Sequence, residues 1–270
     1  MKQWRLIVDA EPCSGSWNMA VDEYLFRSLE KEPGTHLRFY SWARPTVSLG
    51  YSQKVDQVLN AAYCRREGID IVRRITGGKL VLHDREVTYS LSSSDTDTFG
   101  STLTESYRLI SSGLMRGLGK MGLEPCLADA PPQSYVRGDL PCFSYPARDE
   151  IEVGGLKIVG SAQKRVGGRF LQHGSIPLQE DDERLRHVSL LDESGEHIRM
   201  ISLTRALGER VDFSWAVDRF TAGMSEFFGV SLKPVILSDE EKASVEDLQK
   251  KRHENPGWIL GTFPKAPGPG

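Results

Sequence analysis

Residues 150–177 read EIEVGGLKIVGSAQKRVGGRFLQHGSIP, and the pattern of this stretch decides the fold. Two pairs of glycines divide it into three segments rich in apolar and β-branched residues, which predict strands at 150–153, 156–163 and 169–176. The pairs, Gly154-Gly155 and Gly167-Gly168, are typical of tight turns between antiparallel strands, because glycine readily adopts the positive φ that such turns require. The stretch therefore predicts an antiparallel meander.

Other strand-like segments also follow one another in runs instead of alternating with helices. Further strands are predicted at 4–8, 36–42, 46–51, 70–75, 80–83 and 86–92. Helices are predicted from about residue 16 to 29, from residue 55 to a stop at Gly68, and over 104–121. Because the strands cluster in this way, we predict an α+β fold in which a mixed, mostly antiparallel sheet is flanked by helices.

The last third of the chain is predicted to be mostly helical. Apolar side chains there repeat at helical spacing in one stripe: Phe213, Val217, Phe220, Met224 and Phe227. Ser238 and Glu241 have the spacing of a helix-capping box. We expect residues 1–200 to form one domain and residues 201–261 a helical appendage packed on it, in a single globular unit. The Pro- and Gly-rich residues 262–270 are expected to form a disordered tail.

The composition argues against several classes of partner. The 270 residues include 34 Lys and Arg against 37 Asp and Glu, so the formal net charge of −3 offers no basic attraction to nucleic acid or to a membrane surface. No apolar run approaches the roughly 18–20 residues of a membrane span. The first ten residues also lack the apolar core of a signal peptide. We expect a cytoplasmic protein that binds neither nucleic acid nor membrane.

Two familiar cofactor signatures do not apply to this chain. Gly117, Gly119 and Gly122 match the GxGxxG pattern of dinucleotide sites, but they fall at the end of a predicted helix, whereas that motif must open one. The sequence contains no GxxxxGK[ST] phosphate loop, and its six histidines include no pair at metal-binding helical spacing. We therefore expect no metal and no bound cofactor.

The first candidate site is a basic, glycine-rich turn that follows a predicted strand. Paired glycines let backbone N–H groups approach a ligand closely, and the flanking cations surround the turn with positive charge. The candidate ligand-binding residues of this segment are Arg73, Arg74, Thr76, Gly77, Gly78, Lys79 and His83. A simple hairpin turn with solvated basic side chains explains the same composition.

The second candidate site combines a cysteine and a lysine. Cys142 follows the predicted loop 127–141, which suits an accessible thiol, and Lys157 lies in a strand beside small residues that leave room for a ligand. Ser161 and His173 are weaker candidates in the same meander. A lysine on the solvent face of an edge strand is the plainer alternative. The other cysteines, Cys13, Cys64 and Cys126, are expected to be reduced, mostly buried thiols.

Taken together, these segments resemble the lipoate/biotin cofactor transferase family, and most of all its octanoyltransferases of the LipM type. The matching motifs occur in the family's order across residues 18–176: Asn18-Met-Ala-Val-Asp22, Ser48-Leu-Gly-Tyr51 with Gln53, Arg73-Arg74-x-Thr76-Gly77-Gly78, Leu82-His83-Asp84 with Thr88-Tyr89-Ser90, Cys142-Phe143, Lys157-Ile-Val-Gly-Ser-Ala-Gln163 and Leu171-Gln-His-Gly-Ser-Ile176. Similar sequences often carry arginine at Lys79 and proline at Ile75. Lysine keeps the charge but loses planar, bidentate contact.

The resemblance implies a biotin/lipoate protein ligase-like catalytic domain over residues 1–200. It implies that Cys142 is an acyl-thioester nucleophile with Lys157 as its partner, and that the Arg74–Lys79 loop and His83 line the acyl site. The implied reaction moves octanoyl from octanoyl-acyl-carrier protein to the lysine of a lipoyl domain, such as the glycine-cleavage H protein or the E2 subunit of a 2-oxoacid dehydrogenase. It needs neither ATP nor metal.

Three alternatives remain from the sequence. An ATP-dependent lipoate or octanoate ligase of the same fold would use Lys157 on the carboxylate and activated phosphate. A lipoyl-protein octanoyl amidotransferase would use Cys142 with a different donor. A non-catalytic module would only dock lipoyl domains, but it would not need both Cys142 and Lys157 beside a basic glycine-rich loop.

Overall fold

The computed structural model describes residues 1–128, 150–190 and 199–262. Its strands are β1 (Gln3–Val8), β2 (Thr35–Tyr40), β3 (Thr46–Leu49), β4 (Asp70–Arg73), β5 (Val81–His83), β6 (Glu86–Ser93), β7 (Pro125–Leu127), β8 (Ile151–Val153), β9 (Leu156–Val166), β10 (Arg169–Pro177) and β11 (Ser231–Pro234). Its helices are α1 (Gly15–Ser28), α2 (Val55–Val58), α3 (Ala61–Arg66), α4 (Thr96–Phe99), α5 (Leu103–Gly119), α6 (Asp182–Val188), α7 (Leu203–Leu207), α8 (Phe213–Phe228), α9 (Asp239–Leu248), which continues as a π-helical turn over Gln249–His253, and α10 (Pro256–Leu260).

The meander predicted from the glycine pairs is confirmed. Strands β8, β9 and β10 pair antiparallel in sequence order. The two turns are left-handed at both glycines, with φ of 59° and 75° at Gly154 and Gly155, and 58° and 79° at Gly167 and Gly168. Residues with a Cβ are strained in this region, which explains why paired glycines mark both turns.

The meander belongs to an eight-stranded main sheet of order β11-β1-β2-β6-β10-β9-β8-β7. Its β1 pairs in parallel with both β2 and β11, and its remaining neighbours are antiparallel. The predicted mixed, mostly antiparallel sheet flanked by helices is therefore confirmed. A separate small sheet of order β4-β3-β5 carries the segments on both sides of the basic turn.

The two faces of the main sheet are covered by different elements. Helices α5 and α8 cover one face, where Leu114, Phe220 and Met224 pack against Phe39 and Tyr89. Helix α1 and the small sheet lie over the other face. There Met19 of α1 and Val72 of β4 pack against Tyr40 and Trp42. The space left between these elements is the candidate site described below.

The glycines of the GxGxxG pattern serve helix packing. Gly117 and Gly119 lie in the last turn of α5, and Gly122 follows it with a φ of 87°. A Cβ on Gly117 would lie 2.9 Å from Cα of Phe220, so glycine is what lets α5 and α8 approach each other. The pattern ends a helix, as the sequence predicts.

The C-terminal part of the chain differs from a purely helical appendage. Helix α8 carries the predicted apolar stripe into the main core, and the capping box of Ser238 and Glu241 opens α9. However, β11 adds a parallel strand to the edge of the main sheet beside β1. Sequence periodicity missed it because a four-residue strand that ends at Pro234 is too short to show one.

Several sequence-based predictions fall outside the described residues. They concern most of the loop predicted at 127–141, the thiol of Cys142, and the tail beyond Thr262. Leu127, the first residue of that predicted loop, is the last residue of strand β7. Within the ranges that the structure covers, no helix has both the length and the apolar character needed to cross a bilayer.

Candidate active site

A partly open pocket lies between the main sheet, the small sheet and α1. About half of its lining residues are polar, but most of the surface that they expose to the pocket is apolar, which suits a hydrocarbon ligand. The lining residues are Met19, Tyr40, Trp42, Arg74, Val81, His83, Thr88, Lys157, Gly160, Ser161, Ala162, His173, Gly174 and Ser175. Of the predicted site residues, the structure therefore brings together Arg74, His83, Lys157, Ser161 and His173.

The pocket has room because small residues line it on β9 and β10. Gly160, Ala162 and Gly174 provide this part of the wall. A Cβ on Gly174 would lie only 2.7 Å from the Gly160 carbonyl oxygen and 2.6 Å from Cε1 of Tyr89. The Lys157–Gln163 and Leu171–Ile176 motifs thus pack two strands closely while keeping the pocket open.

Lys157 is a buried cation in the wall of this pocket. Its side chain is 2% exposed, and its ammonium donates to Oε1 of Glu150 at 2.7 Å. Main-chain bonds hold the residue in place, because its N–H donates to the Arg199 carbonyl at 3.0 Å and its carbonyl accepts from Ile201 at 2.9 Å. Lys157 is therefore not on the solvent face of an edge strand, which was the plainer alternative from the sequence.

A β-bulge directs Lys157 toward the pocket. Ile151 pairs with Val159 but Glu152 pairs with Lys157, so β9 holds one extra residue at this point. An extra residue reverses the alternation of side chains between the two faces of a strand. As a result Ile158 packs in the core on the opposite face, while Lys157 lines the same pocket as Gly160.

One buried polar chain runs from the main sheet to the basic turn through His173. Nδ1 of His173 lies 2.9 Å from Oδ2 of Asp22, and its Nε2 lies 2.7 Å from the Thr76 hydroxyl. Asp22 also accepts from Arg38 at 2.8 Å and from the Tyr40 hydroxyl at 2.9 Å. This arrangement assigns the Nδ1–H tautomer to His173, which then accepts from Thr76.

The charge states in this chain follow from burial and pairing. Burial lowers the pKa of His173, although Asp22 acts in the opposite direction. Burial alone would raise the pKa of the Asp22 carboxyl, but the hydrogen bond from His173 and the charge of Arg38 hold it below its ordinary value. Burial raises the pKa of Tyr40 well above its usual range. At neutral pH the chain therefore holds a neutral imidazole on an ionised carboxylate.

A second chain of the same kind runs through His83. Nδ1 of His83 lies 2.8 Å from Oε1 of Glu86, and its Nε2 lies 2.6 Å from the Ser48 hydroxyl. The Ser48 oxygen also accepts from Arg74 at 2.7 Å, so its own proton points to His83. The ring of His83 stacks on Trp42 with centroids 4.1 Å apart. The His83 ring thus forms a flat part of the pocket wall, and both of its nitrogens are hydrogen-bonded.

The two arginines of the basic turn bind backbone carbonyls. Arg74 donates to the carbonyls of Ser48, Gly77 and Lys79, and it still lines the pocket. Arg73 is 1% exposed, lies outside the pocket lining, and donates to backbone carbonyls of other segments. A guanidinium used in this way shapes a turn, and the structure places Arg73 behind the pocket lining instead of in it.

The rest of the turn divides into a buried and an open part. Thr76 is fully buried behind the pocket through its bond to His173. Gly77 and Gly78 are exposed, and Gly78 adopts a φ of 91°. Lys79 is half-buried and is not among the pocket-lining residues. Of residues 74–79, Arg74 is therefore the one that lines the pocket.

Ser161 belongs to a third polar connection at the pocket wall. Its hydroxyl lies 2.7 Å from the Tyr89 hydroxyl, which accepts from Gln172 at 2.8 Å. Burial raises the pKa of Tyr89 to about 12, so this hydroxyl remains protonated at neutral pH. Ser161 supports the sheet and touches the pocket at the same time.

Cys142 lies outside the described residues, but both ends of its segment are defined. The Ala128 N–H donates to the Glu150 carbonyl at 2.7 Å, so the two described residues that flank positions 129–149 in the sequence are in direct contact. The carboxylate of Glu150 in turn accepts from the Lys157 ammonium. Of the other cysteines, Cys64 is buried and Cys13 is half-buried, but Cys126 is exposed, contrary to the expectation of a buried thiol.

Several site residues were missed by sequence reasoning. Glu150, Glu86, Tyr40 and Trp42 carried no recognisable spacing, because their partners are far away in the chain or on another strand. Asp22 was part of a quoted motif but had no assigned role. No group of three or more His, Cys, Asp or Glu side chains suited to a metal ion occurs in the part of the chain that the structure describes.

Comparisons with known proteins show the family of this chain. Residues 14–225 match the lipoyl protein ligase A/B catalytic domain. The chain is 37% identical to an octanoyltransferase LipM of Geobacillus kaustophilus, over 94% of this chain and 97% of the relative. It is 36% identical to an octanoyltransferase LipM of Brevibacillus brevis, over 96% and 99%.

The fold also has a close counterpart among solved structures. The crystal structure of a lipoate-protein ligase A bound with ATP superposes with a TM-score of 0.81 at 24% identity, over 97% of this chain and 99% of that one. Similarity at this identity concerns the fold alone. The chain belongs to the lipoyl protein ligase A/B catalytic domain family, and over nearly its whole length it is similar to LipM octanoyltransferases.

Proposed function

We propose that this protein is an octanoyltransferase that moves octanoyl from octanoyl-acyl-carrier protein to the lysine of a lipoyl domain through an acyl-thioester on Cys142. The observation that carries the proposal is the buried Lys157 ammonium in the wall of a mostly apolar pocket. An octanoyl tail that buries about six methylenes at ~0.8 kcal/mol each gains about 5 kcal/mol of binding free energy there.

In the first step the Cys142 thiolate attacks the thioester carbonyl of the carrier-bound acyl group. A C–S bond forms to Cys142, the C–S bond to the carrier breaks, and the carrier thiolate leaves and takes up a proton. An ammonium close to a thiol favours its thiolate form, which is the nucleophile. Lys157 is the proposed source of that charge, because its ammonium binds Glu150, which follows residues 129–149 in the sequence and contacts Ala128 before them.

In the second step the ε-amine of the lipoyl-domain lysine attacks the acyl-enzyme. A C–N bond forms, the amine loses a proton, and the Cys142 thiolate leaves. Conversion of a thioester to an amide is downhill, so this route needs no ATP. The glycine-cleavage H protein and the E2 subunits of 2-oxoacid dehydrogenases are the proposed acceptors.

The test is incubation with octanoyl-acyl-carrier protein without ATP, followed by intact-mass measurement and peptide mapping. We expect one octanoyl adduct that hydroxylamine removes and that maps to Cys142. The Cys142→Ser variant should lose the thioester adduct, while the exposed-thiol control Cys126→Ser should keep it. Absence of an adduct on the unmodified protein, or a thioester that survives Cys142→Ser, would refute the proposal.

Two parallel donors distinguish the alternative functions. An ATP-dependent ligase would act with free octanoate or lipoate plus ATP, and would be unaffected by Cys142→Ser. An amidotransferase would form the same Cys142 adduct from an octanoylated lipoyl domain and not from the carrier. We expect the carrier-bound donor to give the fastest acylation of the three.

A further inference from the structure

We propose that the C-terminal helix α10 is a latch that positions the acyl-site turn, and that Trp258 is its positioning residue. Here the acyl-site turn means residues 74–79. The inference deepens the proposed function, on which its kinetic test rests. The latch lies beyond residues 14–225, the part matched by the family model.

Arg73 joins α10 to the Gly50–Tyr51 backbone, which lies beside the acyl-site turn. Its Nε donates to the carbonyls of Trp258 and Ile259, both at 3.0 Å, and its Nη1 donates to those of Gly50 at 2.7 Å and Tyr51 at 3.1 Å. Its Nη2 has no hydrogen-bond partner among the described residues. This buried cation is therefore solvated by carbonyl dipoles, half of them from α10.

The contact is reciprocal. The indole N–H of Trp258 donates to the Arg73 carbonyl at 3.1 Å. The Trp258 ring is 5% exposed and packs in one apolar cluster with Ile75, the second residue of the acyl-site turn. The Arg252 guanidinium lies over the Trp258 ring, 3.8 Å from the ring centroid. One side chain thus contacts both the backbone before the turn and a side chain inside it.

The acyl-site turn is hydrogen-bonded to the same backbone segment, residues 49–51. The N–H of Arg74 donates to the Leu49 carbonyl at 2.9 Å, and the Tyr51 N–H donates to the Thr76 carbonyl at 2.8 Å. A Cβ on Gly50 would lie 1.9 Å from the Gly78 carbonyl oxygen, so these backbones are in direct contact. If α10 detached, Arg73 would lose two of its four acceptors and could not remain buried in place, since an unsatisfied buried charge is costly. The turn and the Gly50 backbone would move with it.

Hydrogen exchange on the full chain tests the latch directly. In Trp258→Ala we expect the hydrogen-bonded amides of Arg74 and Tyr51 to exchange about tenfold faster, as for the loss of roughly one buried hydrogen bond and its packing. Amides of α5, on the opposite face of the sheet, should keep their protection. Trp258→Phe, which retains the ring and loses the N–H, should show a smaller increase. Trp215→Phe on α8 is the matched control and should change neither region.

The kinetic readout separates positioning from general stability. Trp258→Ala should raise KM for octanoyl-acyl-carrier protein about tenfold while the Cys142 adduct still forms at saturating donor. Equal loss of protection in α5 and at the amides of Arg74 and Tyr51, or unchanged exchange of those two amides, would overturn the latch. If the unmodified protein forms no adduct, the proposed function fails, but the exchange experiment still decides the latch.

Discussion

At the scale of single residues, the Lys157–Glu150 pair lets stability and catalysis be measured separately. Lys157→Met leaves the Glu150 carboxylate buried without the ammonium, so we expect a loss of about 3–5 kcal/mol in unfolding free energy. The double variant Lys157→Met/Glu150→Gln should recover most of that loss, because both charges are removed. Its acylation rate should remain lower than that of the unmodified protein by about 10²-fold or more.

The measurements are chemical denaturation and the rate of Cys142 acylation, both in a Cys126→Ser background that removes the exposed thiol. The pH profile of Cys142 alkylation should also move to higher pH in both Lys157 variants. A double variant that acylates at the unmodified rate, or an unshifted alkylation profile, would contradict a role for Lys157 in activating the thiol.

His36 offers a second prediction at this scale, on the pH dependence of stability. Its ring is 5% exposed, and neither ring nitrogen has a hydrogen-bond partner among the described residues. Burial, followed by the charge of Arg5, lowers the pKa of His36 from 6.5 to about 4. Because the unfolded chain takes up this proton below pH 6.5 and the folded chain only below about 4, stability falls as the pH falls through this window.

His36→Leu should remove that contribution, which is worth about 3 kcal/mol at pH 4. The unfolding free energy of the variant should therefore decline less between pH 6.5 and 4 than that of the unmodified protein. The exposed His187→Leu serves as the control and should keep the original slope. Parallel pH profiles for His36→Leu and the unmodified protein would show that His36 does not titrate in this way.

The residue-level predictions from sequence succeeded where a side chain's own segment determines its place. Lys157 was expected in a strand beside small residues, and it lies there. Its burial depends on the bulge at Ile158 and on Glu150, and neither leaves a pattern in the sequence. Arg73 was expected at the ligand, but its acceptors lie up to 186 residues away in the chain. Contacts at such separation cannot be obtained from local spacing.

At the scale of elements, two glycines of the GxGxxG pattern in α5 differ in their surroundings. Comparing their alanine variants tests whether the pattern serves helix packing. A Cβ on Gly117 would lie 2.7 Å from Cδ1 of Phe220, whereas one on Gly119 would meet nothing within 4 Å. We expect Gly117→Ala to destabilise the protein by about 1–3 kcal/mol through overpacking against α8. Gly119→Ala should stabilise it by roughly 0.5 kcal/mol, because alanine is the better helix former.

Thermal melts of both variants, with acylation rates measured well below the melting temperature, check this prediction. Both should retain the rate of the unmodified protein, since α5 covers the face of the main sheet opposite the pocket. If Gly117→Ala melted like Gly119→Ala, the two helices would not be in the close contact described. A cofactor role for these glycines would instead lower the rate in both variants.

Elements with strong local signals were predicted well, and those fixed by distant partners were not. The meander followed from its glycine pairs, and α8 from its apolar stripe. The small sheet was predicted only as separate strands, because nothing local says that β3 pairs with β4 and β5 and not with β2. Strand β11 was missed since it gains its bonds only from β1. Pairing partners are a tertiary property, which period-2 patterns do not encode.

At the scale of the whole molecule, the question is whether residues 201–262 are an appendage or part of the core. Helix α8 places Val217, Phe220 and Met224 in the same cluster as the main sheet, and β11 pairs with β1. Each fully buried large side chain contributes about 1.5–3 kcal/mol. Losing these three together with the packing of their partners is comparable to the roughly 5–15 kcal/mol that stabilises a whole protein.

We therefore expect a chain that ends at residue 200 to lack a cooperative thermal transition, because the face of the main sheet that α8 covers would be open to water. A chain that ends at residue 262 should melt within about 2 °C of the full chain, since residues 263–270 have a composition that buries little apolar surface. Circular dichroism melts and Cys142 acylation of both chains check this. A cooperative melt of residues 1–200 would show an independent domain with a separable C-terminal part, and loss of acylation on removing residues 263–270 would give that tail a function in the reaction.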